Sequence, residues 1–337
     1  MANYKDIHGT KVEFVTSDPS NPVNGQVWYN STEQKLKAIT SNPAGAWASG
    51  GDLNTAKNAA GATGTQTAAL AVGGTSSPSP TSAAFRTDTE QYNGTSWTEL
   101  NDLNTGTKLQ AVQGLYTAAI SSGGLRTPTP ATNSEKAETW NGSSWTEVAD
   151  MSVGRYGLSG AGTQTASVVF GGVIFGGSPP VHRSLTELWN GSGWTEVGDL
   201  NVARHALGGC GTSTDALAIA GAVDFDDVEQ WNGSAWTEIT DINTGRSNGE
   251  SAGTTSAAVH FGGYSPSPGA IVALTEVWNG SSWTEVTDLS TARQEFGSAK
   301  SGTSGSTLAA GGETPSRIAS TEEFTRPVLS TKTFTVS

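Results

Sequence analysis

Apolar residues in this chain come in short bursts, closed by glycine and separated by stretches in which polar and apolar residues alternate. TAALAVGG, SVVFGG and SAAVHFGG are bursts of this kind, each ending at a glycine pair. That pattern predicts short buried strands. TELWN and TEVWN alternate instead, as a strand with one buried face does. WNGSSW and WNGSAW set Asn-Gly between two tryptophans and predict a hairpin, since a positive φ is cheapest for these residues. Helical periodicity is absent, so the expected class is all-β.

The bursts recur. SWTELNDLNTG, SWTEVADMSVG, GWTEVGDLNVAR, AWTEITDINTGR and SWTEVTDLSTAR are copies of one pattern, and AWASGGDLNTAK is a diverged sixth. Their anchors are Trp47, Trp97, Trp145, Trp194, Trp236 and Trp283, spaced 50, 48, 49, 42 and 47 residues apart. Five residues before the last five stand Tyr92, Trp140, Trp189, Trp231 and Trp278. A base follows ten residues after most anchors, at Lys57, Arg155, Arg204, Arg246 and Arg293, with Lys108 one place late. Four short antiparallel strands per unit of 40 to 50 residues predict the blades of a β-propeller. The first unit has an outer Trp strand without inner strands, and the last has inner strands without the outer Trp. Closure by pairing the Trp47 strand with the blade of residues 293–326 resolves both, and removes two open edges. Six blades follow, or seven if KVEFV, QVWYN and KLKAI form a further one. The chain then divides into an N-terminal β-hairpin or anchor module (1–45), the propeller (46–326) and a C-terminal strand or tail (327–337).

Composition changes the picture little once the repeat is seen. Leu, Ile, Val and Phe make up only 58 of 337 residues at a net charge of −13, values typical of disordered chains. The 11 tryptophans and the repeat argue otherwise. A core divided among small blades needs few aliphatics each, and paired aromatics supply the rest. The acidic balance, with no basic run, argues against nucleic-acid binding. No apolar stretch is long enough to span a bilayer as a helix. The start MANYKDIHGTK lacks a signal-peptide core, and Cys210 is the single cysteine, so synthesis in a reducing cytoplasm is expected.

Most chemistry-bearing residues read as scaffold. Glu90, Glu138, Glu187, Glu229 and Glu276 recur once per unit, two before the strand aromatic, and are expected to pair with the recurring base. The Asn-Gly-Ser/Thr sequences match glycosylation sites as a by-product of the turn. His8, His182, His205 and His260 occupy unrelated repeat positions, which predicts neither a metal cluster nor a cofactor site. No catalytic motif is present, so the expectation is a non-enzyme. The units differ most between the glycine pair and the Glu-x-Trp strand, where seven to fifteen residues intervene. Variable loops on a rigid frame are where binding usually lies. Phe85, Arg126, Phe175, His182, Phe225 and Tyr264 are the candidate partner-binding side chains there.

The glycine pairs Gly73-Gly74, Gly123-Gly124, Gly171-Gly172, Gly262-Gly263 and Gly311-Gly312, followed by a Trp or Tyr and then another Trp, resemble the kelch repeat. Ala220-Gly221 departs from it, as does the last unit, which has Phe324 but neither the Asn-Gly hairpin nor the outer Trp. Gly25-Gln26-Val27-Trp28-Tyr29-Asn30 with Leu36-Lys37 is similar to a module of bacteriophage tail and fibre proteins, and the whole chain resembles virion proteins of marine phages. The resemblance implies a structural or host-attachment role. The N-terminal module would hold other virion proteins, the loops would meet a host-surface glycan or protein, and the chain would be oligomeric on the particle exterior. Two other classes compete: a glycan-binding bacterial propeller and a polysaccharide-degrading propeller enzyme.

Overall fold

The computed structural model describes residues 12–19, 26–40, 45–77, 85–126, 132–174, 180–223, 225–326 and 330–334, all strand, turn or irregular chain without helix. Two compact units emerge: Ala46–Thr325, and Met1–Gly45 together with Arg326–Ser337.

The repeats fold as four-stranded antiparallel sheets. In the first, Gly61–Thr65, Ala68–Val72, Thr89–Tyr92 and Trp97–Glu99 pair in chain order. Sheets beginning at Ala111, Ser159, Gly208 and Glu250 repeat that order. The sixth combines Gly297–Ser298, Ser306–Ala310 and Thr321–Thr325 with Ala46–Ser49 from the other end of the unit, in the register Phe324↔Trp47. Each first strand packs on the first strand of the next sheet, and Gly297–Ser298 packs on Gly61–Thr65.

Both aromatics of each hairpin lie on one face because they are cross-strand partners, as in Trp140↔Trp145 and Trp231↔Trp236. Their rings sit 5.4 Å apart in both pairs, tilted by 42° and 41°. Trp47 and Phe324 reproduce this at 5.0 Å and 40°, although nearly the whole propeller sequence separates them. Such pairs add about 0.5–1.5 kcal/mol beyond the area they bury. The second Trp also reaches the preceding sheet. Trp145, Trp236, Trp47 and Trp97 donate their indole N–H to the hydroxyls of Thr89, Thr186, Thr275 and Thr321, the residue before the recurring Glu. Two sheets carry Ala137 and Val228 at that position, and there Trp194 and Trp283 turn to the carbonyls of Ala149 and Thr240.

Buried charge is paired sheet by sheet. Lys57–Glu90, Arg155–Glu187, Arg204–Glu229, Arg246–Glu276 and Arg293–Glu322 lie 2.6–2.9 Å apart with essentially no exposure. The other oxygen of each carboxylate accepts a backbone N–H of the loop ahead, as Glu229 does from Asn201 and Glu276 from Asn243. The Asn-Gly connections are four-residue loops rather than two-residue turns: Asn141 Oδ1 accepts the amides of Ser143 and Ser144 while Gly142 takes φ 92°.

Two cyclic sets of backbone hydrogen bonds join the sheets. The second residue of each glycine pair donates to the carbonyl at the next unit's base position: Gly74 to Thr107, Gly124 to Arg155, Gly172 to Arg204, Gly221 to Arg246, Gly263 to Arg293, and Gly312 back to Lys57. Nearer the axis, Ala59, Leu109, Gly157, Ala206, Asn248 and Glu295 all adopt φ between 50° and 64°. Each donates to the carbonyl of its counterpart in the preceding unit, and Ala59 donates to Glu295 at 2.7 Å. Five of these six residues carry side chains in the left-handed region, a cost of about 1–2 kcal/mol each that the hydrogen bond and packing must offset. A cavity of about 50 Å³ lies against this ring. That volume admits a few waters, against the several hundred Å³ of an ordinary small-molecule site.

The second unit is a four-stranded sheet. Glu13–Val15 runs parallel to Val27–Asn30, which pairs antiparallel with Lys35–Thr40, and Lys35–Thr40 takes Ser330–Phe334 on its far edge. Strands within KVEFV, QVWYN and KLKAI thus share this sheet, and Ser330–Phe334, from the segment expected as a C-terminal strand or tail, completes it. Asp18 organises the unit, accepting from Lys37 Nζ, Asn30 Nδ2 and buried Trp28 Nε1. These bonds, Lys37 foremost, hold its carboxyl down at about 2.

Candidate interaction surface

In each unit the residue after the base pairs with the residue after the glycine pair, making a short rung at the variable-loop end. The rungs are Asn58↔Thr75, Lys108↔Leu125, Tyr156↔Val173, His205↔Ala222, Ser247↔Tyr264 and Gln294↔Glu313. In five units a third residue joins: Phe85, Asn133, His182, Ile271 or Arg317. The crown they form stands one residue from the left-handed ring, so it is mounted on the most constrained backbone of the unit. Its side chains differ from rung to rung while the supporting hydrogen bonds repeat.

Among the described residues, neighbouring rungs touch in three places. Lys108 Nζ lies 4.8 Å from the centre of the Phe85 ring, a cation–π contact. His182 and His205 bring their Nδ1 atoms to 3.1 Å. Asn58 Nδ2 donates to Glu295 at 2.7 Å and to Glu313 at 3.0 Å, while Arg317 donates to Asn58 Oδ1 and Gln294 to Glu313. Burial, with Glu313 alongside, raises the Glu295 carboxyl above its usual range.

The six candidate side chains fare differently. Phe85 is 9% exposed beneath Lys108. Arg126 is not a free loop residue: it is 5% exposed and its guanidinium meets Glu138 at 3.0 Å. The reason lies in the scaffold, because Thr107 stands where the other units have a base and leaves Glu138 without its usual cation. Lys108, one place late, points to the crown. Phe175 lies outside the described residues. His182 is half-buried against His205, which sequence reasoning set apart from it. Phe225 is half-buried and its carbonyl takes the N–H of Arg246. Tyr264 is half-buried in its rung between Ser247 and Ile271. The Trp anchors are buried except Trp194, which is half-buried and belongs to a unit whose preceding sheet lacks the threonine.

Sequence reasoning missed Asn58, Lys108, Tyr156, His205, Ser247 and Gln294 as a set. A signal existed, since each follows the base position directly, but their chemistry shares nothing that marks them. Among the described residues, the one grouping of three metal-capable side chains is Asp227, Glu238 and Asp241. Asp227 is already bound by Arg204, and nothing further singles the grouping out.

With repeated four-stranded sheets and cyclic inter-sheet bonds, the protein has an all-β, propeller-like fold. The solved structure of the bacterial propeller YjhT superposes on it with a TM-score of 0.66, covering 83% of this chain and 99% of that one at 12% identity. At that identity the likeness concerns the fold alone. No family model matches the chain, and no curated protein matches it either.

Proposed function

We propose that this chain is a six-bladed, kelch-like propeller closed by its Ala46–Ser49 strand, and that it serves as a non-enzymatic bacteriophage virion protein presenting its crown to a host-surface glycan or protein. The observation that carries the reading is the contrast between the two ends of the sheets. One end repeats the same Asn-Gly loop in five of the six sheets, and the other sets six chemically different rungs on a repeated backbone frame. Such a frame tolerates change where it meets a partner without risking the fold.

The second unit supports an anchoring role. It takes one strand from after the propeller and three from before it, so both connections of the propeller lead into one sheet. Phe14 on its parallel strand is 77% exposed, an apolar contact available to another particle protein. The reading places the protein on the particle exterior, in several copies, after cytoplasmic synthesis. Full-length purified chain added to susceptible cells should slow adsorption of particles in a dose-dependent way. Adsorption unchanged at saturating protein overturns the attachment role.

A further inference from the structure

Beyond that reading, and independent of where the protein works, we infer that His182 and His205 form a two-imidazole site for a divalent transition-metal ion of the zinc or nickel class. Their Nδ1 atoms stand 3.1 Å apart. Two nitrogens bound to one such ion at about 2.0–2.1 Å, with angles between octahedral and tetrahedral, lie about 2.8–3.4 Å from each other. The observed approach falls inside that range before any ion is added.

Both residues are held at the backbone, which presents the two rings to each other. His182 is held by its pairing with Val173 and by the N–H of Arg183 on the Gly172 carbonyl at 2.8 Å. His205 is held by its bridge to Ala222, whose N–H donates to the His205 carbonyl at 2.8 Å. They come from loops of adjacent sheets, so an ion here would tie the third sheet to the fourth. Two facing imidazole nitrogens 3.1 Å apart can share only one proton, which an ion bound between them would displace.

The surroundings suit an open site rather than a closed structural one. Among the described residues no third His, Cys, Asp or Glu joins the pair, so the remaining positions fall to water or to oxygen donors of a partner. Val181 (45% exposed) precedes His182, and Val223 (55% exposed) follows Ala222, the bridge partner of His205. Val223 is β-branched yet adopts φ 97°, a costly conformation of the kind that collects at functional positions.

The test is calorimetric titration of tag-free, chelator-treated full-length protein with zinc and nickel chloride at pH 7.5. Wild type should bind one ion saturably. His182→Asn and His205→Asn should each weaken it by about tenfold or more, since even supporting residues behind a ligand cost that much. Should a variant misfold, imidazole NMR of the wild type supplies the readout: zinc should shift the His182 and His205 ring signals together. Absence of saturable binding overturns the proposal, as does binding that is unchanged in both variants or a titration that leaves these two rings unmoved.

Discussion

Arg126 illustrates how a residue's meaning depends on a vacancy elsewhere. Thr107 is the missing base, and Arg126 reaches back to Glu138 from the loop after its glycine pair. Removing one partner of a buried ion pair leaves an uncompensated charge, so Arg126→Ala should destabilise by about 3–5 kcal/mol in urea unfolding. Adding Thr107→Arg should recover part of that loss; a surface-like loss below 1 kcal/mol would contradict the pairing. Ala220 is the complementary case. It sits at φ 61° where five other units have glycine, and its neighbour Gly221 makes the longest of the six glycine-pair bonds, 3.1 Å. Ala220→Gly should stabilise by about 0.5–1 kcal/mol, the left-handed strain relieved less the entropy glycine loses. An unchanged urea midpoint would show that the strain is absorbed elsewhere.

At the scale of the element, the sheets were legible because their determinants are local and repeated. Aromatics five residues apart around Asn-Gly fix the hairpin, and glycine pairs end the second strand. Glu two before the aromatic must share its buried face. The left-handed ring was not legible: Ala59, Leu109, Gly157, Ala206, Asn248 and Glu295 include one glycine and one asparagine, so residue type gives no warning of positive φ. Nor was the His182–His205 contact, since one residue belongs to a variable loop and the other to the turn entering the next sheet. Only the cyclic arrangement makes them neighbours. Where sheets meet, the indole–threonine bond is a polar side-chain contact that four sheets repeat. Thr89→Val keeps the shape and strands the Trp145 N–H, which should cost about 1–3 kcal/mol. The same test has no counterpart at Ala137, where the unit already uses a carbonyl instead.

At the scale of the whole molecule, the proposed closure rests on Ala46–Ser49, the fourth strand of the sixth sheet. Trp47 stacks on Phe324 in its own sheet and on Phe261 of the neighbouring one, both at 5.0 Å. Trp47→Ala should therefore cost about 3–5 kcal/mol and expose the first strands and the sixth sheet to proteolysis. Cleavage spread evenly over the six sheets would count against closure. Acid should weaken the protein early. His205 is lowered to about 4 and His260 well below its ordinary value, in both cases chiefly by burial. Between the ordinary histidine value of 6.5 and about 4 the unfolded chain binds more protons than the folded one, so stability rises with pH there and falls as pH drops. His205→Gln should reduce the pH dependence of the urea midpoint across that window, leaving the part that His260 contributes. Asp18, held down at about 2, acts in a lower range: its contribution persists above its ordinary 3.8 and is lost as pH falls toward 2.

The proposed role puts this crown and the second unit's sheet on a virus particle. Mass spectrometry of gradient-purified particles, from a lysate in which the chain is expressed from its own genome, tests it most directly. Peptides from both units should co-sediment with the major capsid protein at a fixed ratio. Peptides confined to the soluble fraction, with none in the particle band, would contradict it.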